Sequence, residues 1–147
     1  MKFKLIIDKE AEEEIVAVVH EPNELTQQIE NLLLAYTGNN KITVYNEDEI
    51  AQLCFSDIEC ITVIDRKIFA IDQNGVKYRM NRRLCDLEEM LPSYFIRINK
   101  STIANENRIL RFNTIYTGAV NAVFQCGYVE YVSRRCFADI KRRLIKK

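Results

Sequence analysis

The chain has 147 residues, 48% of them apolar, and a formal net charge of zero. That length suits one ordinary domain, or a domain of about 100 residues with an added segment, and the apolar content excludes a long disordered tract. No run approaches the ~18 apolar residues of a membrane span. Met1-Lys2-Phe3-Lys4 soon reaches Asp8 without a signal-peptide core, so a cytoplasmic protein that does not span a membrane is expected.

The neutral total hides an asymmetry. Residues 1–50 hold four Lys/Arg and eleven Asp/Glu, a balance of −7, whereas residues 93–147 hold eleven Lys/Arg and three Asp/Glu, a balance of +8. A basic end is the electrostatic footprint of a phosphate-binding surface, although a solvated face gives the same count. The five cysteines (Cys54, Cys60, Cys85, Cys126 and Cys136) include no C-x-x-C pair, and His20, the single histidine, lies far from them. A disulfide framework, a metal site and a bound cofactor are therefore not expected.

In chain order, Lys2–Asp8 and Glu14–His20 read as strands joined by a charged turn. Glu21-Pro22-Asn23 then opens a helix, with Pro at its entry and Asn as its cap. Leu25, Ile29, Leu32, Leu33 and Tyr36 follow helical spacing, and Gly38-Asn39-Asn40 closes it. Residues 1–40 thus read as an acidic β-β-α unit. From Lys41 the period becomes two, with strands expected at Lys41–Asn46, Glu49–Phe55, Glu59–Ile64, Lys67–Asp72 and Val76–Met80. Asp72-Gln73-Asn74-Gly75 is a hairpin signal, because Asn-Gly accepts positive φ at both central positions. A short helix carrying Leu84, Leu87 and Met90 stops near Pro92. Further strands are expected at Tyr94–Ile98, Ile103–Ala104, Asn107–Tyr116, Gly118–Gln125 and Tyr128–Val132. Ser133 caps a basic last helix with Phe137, Ile140 and Leu144 inward. Many short alternating strands, each with one dry and one wet face, give a mainly β fold with antiparallel sheets and short helices.

Tyr94-Phe95-Ile96-Arg97-Ile98-Asn99-Lys100-Ser101-Thr102-Ile103-Ala104-Asn105 resembles the signature of the LytTR DNA-binding family, Phe-x-Arg-Ile-His-Arg-Ser-aromatic-Ile-Val-Asn. Val132-Ser133-Arg134-Arg135 with the following helix resembles the family's closing Pro-Val-Ser-Arg-Arg element. Phe55–Ile61 resembles its opening strand, and Arg83–Leu91 its Leu-x-x-Leu-x-x-Leu helix. The resemblance covers about residues 43–147. Asn99 stands in place of His, Thr102 in place of an aromatic, Ala104 in place of a larger aliphatic and Tyr131 in place of Pro. The resemblance implies an elongated antiparallel β-sandwich, preceded here by the β-β-α unit. In that fold loops, and not a recognition helix, enter successive major grooves. It carries over three contact positions: Lys67 in the loop Asp65-Arg66-Lys67, Asn99-Lys100 after the signature strand, and Arg135 at the last helix.

The residue chemistry agrees. Alternation sets Arg97 and Asn99 on one face. Lys100 beside Ser101 makes a phosphate clamp, and arginine's fork holds guanine O6 and N7 together. Arg134 and Arg135 oppose the dipole of the helix they begin, which an anionic partner would relieve. The expected DNA-binding set is Arg66, Lys67, Arg97, Asn99, Lys100, Ser101, Arg134 and Arg135. Only about 40 residues precede the LytTR-like part, too few for a receiver domain. The expected protein is a stand-alone transcriptional regulator, a homodimer on double-stranded DNA with repeated half-sites. Its N-terminal unit serves dimerisation or signal input, and an inhibitory membrane protein is an expected partner. The alternative is a protein-interaction module that docks an acidic partner on the basic surface. The sequence offers no nucleophile–base pair, so an enzyme is not expected.

Overall fold

The computed structural model describes residues 1–37, 40–114 and 118–145. The expected helix stop at Gly38-Asn39, the strand end at Ile115-Tyr116 and the lysines Lys146-Lys147 lie outside the described residues.

The first 23 residues differ from expectation. Neither Lys2–Asp8 nor Glu14–His20 forms a strand; the chain bends at Lys9–Ala11, where Glu10 N donates to Asp8 Oδ1 at 3.0 Å, and again at His20–Glu21. Alternation favours extended backbone, but a strand exists only on a partner edge, and an isolated two-stranded hairpin is marginal in water. The helix α1 (Glu24–Thr37) does form. Asn23 Oδ1 accepts from Thr26 N at 3.0 Å while Thr26 Oγ1 accepts from Asn23 N at 3.0 Å, a reciprocal cap on two otherwise orphaned donors. Glu30 then ties α1 to the rest, accepting from Ser93 N at 2.6 Å and Ser93 Oγ at 2.5 Å.

Beyond Asn40 the expected strands appear. They are β1 (Lys41–Asn46), β2 (Glu49–Cys54), β3 (Ile58–Ile64), β4 (Lys67–Asp72), β5 (Lys77–Met80), β6 (Phe95–Asn99), β7 (Thr102–Asn105), β8 (Ile109–Thr114), β9 (Val120–Phe124) and β10 (Val129–Val132). The helix α2 (Leu84–Met90) separates β5 from β6, and α3 (Arg134–Ile145) follows β10. Seven strands make one sheet in the order β2-β1-β5-β4-β3-β7-β6, and three make a second, β10-β9-β8. The paired strands all run antiparallel.

Two cores lie on opposite faces of the large sheet. Ile61, Ala70, Phe95 and Ile103 join Leu87 and Leu91 at α2 in one; Cys60, Ile71, Ile96 and Ala104 join Val120, Phe124, Val132 and Ile140 in the other. Successive residues of β3, β4, β6 and β7 thus alternate between two dry faces. The expectation of one wet face per strand holds at β1, where exposed and buried residues alternate, and fails for β3 and β7, which lie between both layers. Leu144 is half exposed, while Phe137 and Ile140 face inward as expected.

Candidate nucleic-acid interface

The β3–β4 hairpin closes through two residues, Asp65 (φ 50°) and Arg66 (φ 67°), with Ile64 paired to Lys67. Positive φ at both central positions is the mark of a type I′ turn, whose twist matches the flanking strands. The expected turn of this kind at Asn74-Gly75 is different. Only Gly75 has positive φ there, and Asp72 Oδ1 accepts from Asn74 N and Val76 N at 2.9 Å each, closing a wider loop. The tight turn therefore falls in the segment expected to meet DNA. Arg66 and Lys67 are exposed at its tip.

Main-chain bonds connect this hairpin to the other two segments. Val63 N donates to Ser101 O at 3.0 Å, joining the end of β3 to the β6–β7 turn. Ser133 N donates to Ile98 O at 2.8 Å, joining the start of α3 to β6. Ser133 also caps α3, its Oγ accepting from Cys136 N at 3.2 Å. Lys100, Arg134 and Arg135 are exposed on these turns, and Ser101 is half buried. No acidic residue lies in the first turn of α3, so its amides and two guanidinium groups make an unneutralised positive end.

Two of the expected site residues face elsewhere. The register of β6 on β7 shifts between Arg97 and Asn99, which leaves Ile98 as the extra residue of a bulge. The bulge reverses facing, so Arg97 and Asn99 do not share a face as alternation implies. Arg97 turns toward α2, pairing with Glu88 at 3.3 Å, and its buried Nη1 has no hydrogen-bond partner among the described residues. Asn99 is 7% exposed and turns toward β10. Its Nδ2 donates to Tyr131 O at 2.6 Å, and its Oδ1 accepts from Ser101 N at 2.8 Å and Ser101 Oγ at 3.2 Å. One amide thus holds the Lys100–Ser101 turn against the strand that leads into α3.

Asn99 belongs to a polar network between the sheets that residue spacing did not disclose. Glu130 Oε2 accepts from Tyr128 OH at 2.7 Å and from Thr62 Oγ1 at 3.4 Å, while Glu130 Oε1 accepts from Asn99 Nδ2 at 3.4 Å. Thr62 and Thr102, both buried, share a 2.7 Å hydrogen bond. This pairing accounts for threonine where the LytTR signature has an aromatic: the hydroxyls close the network beneath the β3 and β7 ends. Burial pushes the Tyr128 hydroxyl above its ordinary value, and the bond to Glu130 adds to that rise.

A fully buried carboxylate sits at another bulge. The β3 register shifts between Ile58 and Cys60, leaving Glu59 unpaired and fully buried. It accepts from Arg108 Nε at 2.7 Å and Cys126 N at 2.7 Å, tying the large sheet to the end of the small one where β8 begins and β9 turns toward β10. The sequence places a charged residue there but gives no sign of which way the bulge turns it.

All five cysteines are free, with Cys60 buried and its thiol pushed well above the ordinary value by that burial. Among the described residues, no group of three or more His, Cys, Asp or Glu side chains could hold a metal, and no helix is long and apolar enough to cross a membrane.

Residues 48–145 match the family model described as the LytTr DNA-binding domain. The chain is 32% identical over 146 residues to an uncharacterized HTH-type transcriptional regulator of Staphylococcus aureus strain bovine RF122, covering 98% of each chain. Relatives of the same description in Staphylococcus aureus strains MW2 and N315 match with the same identity and coverage. Among solved structures, the LytTr DNA-binding domain of a Bacillus cereus protein superposes with a TM-score of 0.65 and 21% identity, over 71% of this chain and 96% of that one.

Proposed function

The chain belongs to the LytTR DNA-binding family, and from that premise we propose that it is a sequence-specific regulator of transcription that reads double-stranded DNA with three loops. The observation that carries this reading is the bonding of three basic turns to one another through main-chain groups. Arg66 and Lys67, Lys100 and Ser101, and Arg134 and Arg135 then form a discontinuous basic edge. Lys67, Lys100 and Ser101 hold phosphates, while Arg66, Arg134 and Arg135 reach into major grooves, where each well-made base contact discriminates by about 1–3 kcal/mol. Asn99 and Arg97 serve from behind, Asn99 by fixing the Lys100 turn and Arg97 through its pair with α2.

The relatives' description as HTH-type regulators supports the regulatory role and not the manner of reading. In this chain α2 and α3 are separated by five strands, so no two helices are consecutive there as a helix-turn-helix requires. Residues 41–147 are the DNA-reading part in this proposal, and residues 1–40 serve pairing or signal input. Two copies on repeated half-sites supply the specificity that one small module lacks, in the cytoplasm and under control of an inhibitory membrane partner.

Selection from a random duplex library at about 0.15 M salt tests the reading, followed by anisotropy with the winning duplex. A repeated motif is expected, with Arg135→Ala losing about 1–3 kcal/mol and relaxing one position. Lys67→Ala should weaken all sequences alike and flatten the salt dependence by about one counterion. Equal weak binding to every duplex by wild type and Arg135→Ala would overturn base readout and favour docking of an acidic protein on this edge.

A further inference from the structure

One carboxylate reaches a strand that leads to each of the three basic turns. Glu130, half-buried on β10, accepts at Oε2 from Thr62 Oγ1 at 3.4 Å, and β3 carries Thr62 toward the Asp65–Arg66 turn. Its Oε1 accepts from Asn99 Nδ2 at 3.4 Å, beside Lys100 and Ser101. The same oxygen accepts from Tyr131 N at 3.2 Å, on the strand that runs into Ser133 and α3. With Tyr128 OH at 2.7 Å, two oxygens receive four donors. A carboxylate has about four lone-pair sites and no donor of its own, which suits that count.

The direction of these bonds bears on the Lys100–Ser101 turn. The amide of Asn99 has a donor end and an acceptor end, and turning it over hardly changes its shape. Glu130 Oε1 and Tyr131 O both accept from Nδ2, which holds the donor end toward β10. The acceptor end is thereby left to Ser101, whose N and Oγ donate to Oδ1 at 2.8 Å and 3.2 Å. Asn99 is buried, so an N–H that lost its acceptor there would stay unsatisfied. By its charge alone Glu130 opposes an anionic ligand on the neighbouring edge. What it contributes to binding must come from placement.

We infer that Glu130 is a positioning residue of the DNA-reading edge: it touches no DNA, and it acts through Asn99 to set the Lys100–Ser101 turn. The inference rests on the three-loop reading above.

The test is fluorescence anisotropy of the full chain with its selected duplex at about 0.15 M salt, comparing Glu130→Gln with Glu130→Met. Both variants remove the same charge and keep similar length. The glutamine keeps one oxygen for Asn99 and Tyr131 and turns its amino group to the hydroxyls of Thr62 and Tyr128, which can accept; the methionine leaves no such acceptor. Glu130→Gln should bind as tightly as wild type or tighter. Glu130→Met should bind about tenfold more weakly, as should Asn99→Ala, and the two together no more weakly than the worse of them alone. Without DNA, amide hydrogen exchange at Ser101 should quicken in Glu130→Met while the Cys126 amide, held by Glu59, keeps its wild-type rate. Equal binding by the glutamine and methionine variants, additive losses, or quickened exchange at Cys126 as well would overturn the inference and leave the DNA reading standing. A wild type that selects no motif would sink that reading, and the role of Glu130 with it.

Discussion

Residues 2–20 and β3 to β7 are written in the same language of alternating Ile, Val, Leu and charge, yet their fates differ. Ile61 and Ile103 are almost wholly buried, while Ile7 is 84% exposed. The difference is not propensity. Ile61 sits on a strand with partners on both edges and a core on each face; Ile7 has neither. Alternation specifies which side chains can share a face, and the supply of edges and cover decides whether a strand forms at all.

The sharpest way to test this contrast is truncation at matched positions. Ile61→Ala should cost about 2–5 kcal/mol in urea unfolding, whereas Ile6→Ala at concentrations too low for pairing should change stability by less than about 0.5 kcal/mol. Equal effects would mean that the N-terminal segment packs within its own chain. Next in size is Glu59→Ala, which strands the Cys126 amide and leaves Arg108 unpaired. A loss of about 2–3 kcal/mol is expected, moderated because Arg108 keeps some access to water.

Alkali should act on the packed domain through Tyr94. Burial, then the nearby Glu30 carboxylate, pushes Tyr94 from 10 up to about 12. The folded state therefore favours the neutral phenol. Its stabilisation is complete below pH 10 and is lost as pH rises through about 12, by about 2 kcal/mol in all. Tyr94→Phe should flatten that alkaline fall, read as the urea midpoint against pH. A smaller loss is expected from Tyr128→Phe, about 1 kcal/mol, because Glu130 retains Thr62 and Asn99.

Much of the domain was legible from its residues. The strands Lys41–Asn46 and Lys67–Asp72 fall at their expected bounds, and others shift by a residue or two. Ser133 and Asn23 cap where short polar side chains precede an apolar period. The basic turns were found because Lys and Arg cluster beside a known signature. The bulges at Glu59 and Ile98 were not legible, since one extra residue in a ladder depends on what the partner strand offers. Each bulge reverses facing, which is why Asn99 was expected outward with Arg97 and lies inward. The Glu130 network escaped for a related reason: its members come from β3, β6, β7, β10 and the turn before β10, and nothing local marks a carboxylate that will meet a tyrosine, a threonine and an asparagine between sheets.

The bonds from Val63 to Ser101 and from Ser133 to Ile98 are made wholly by peptide groups. Substituting Arg66, Lys100 or Arg135 leaves those peptide groups in place. Under the proposed reading, the lettering of the recognised site can therefore drift by single side chains across a lineage of such proteins, while the interval between its read positions is inherited unchanged with the backbone.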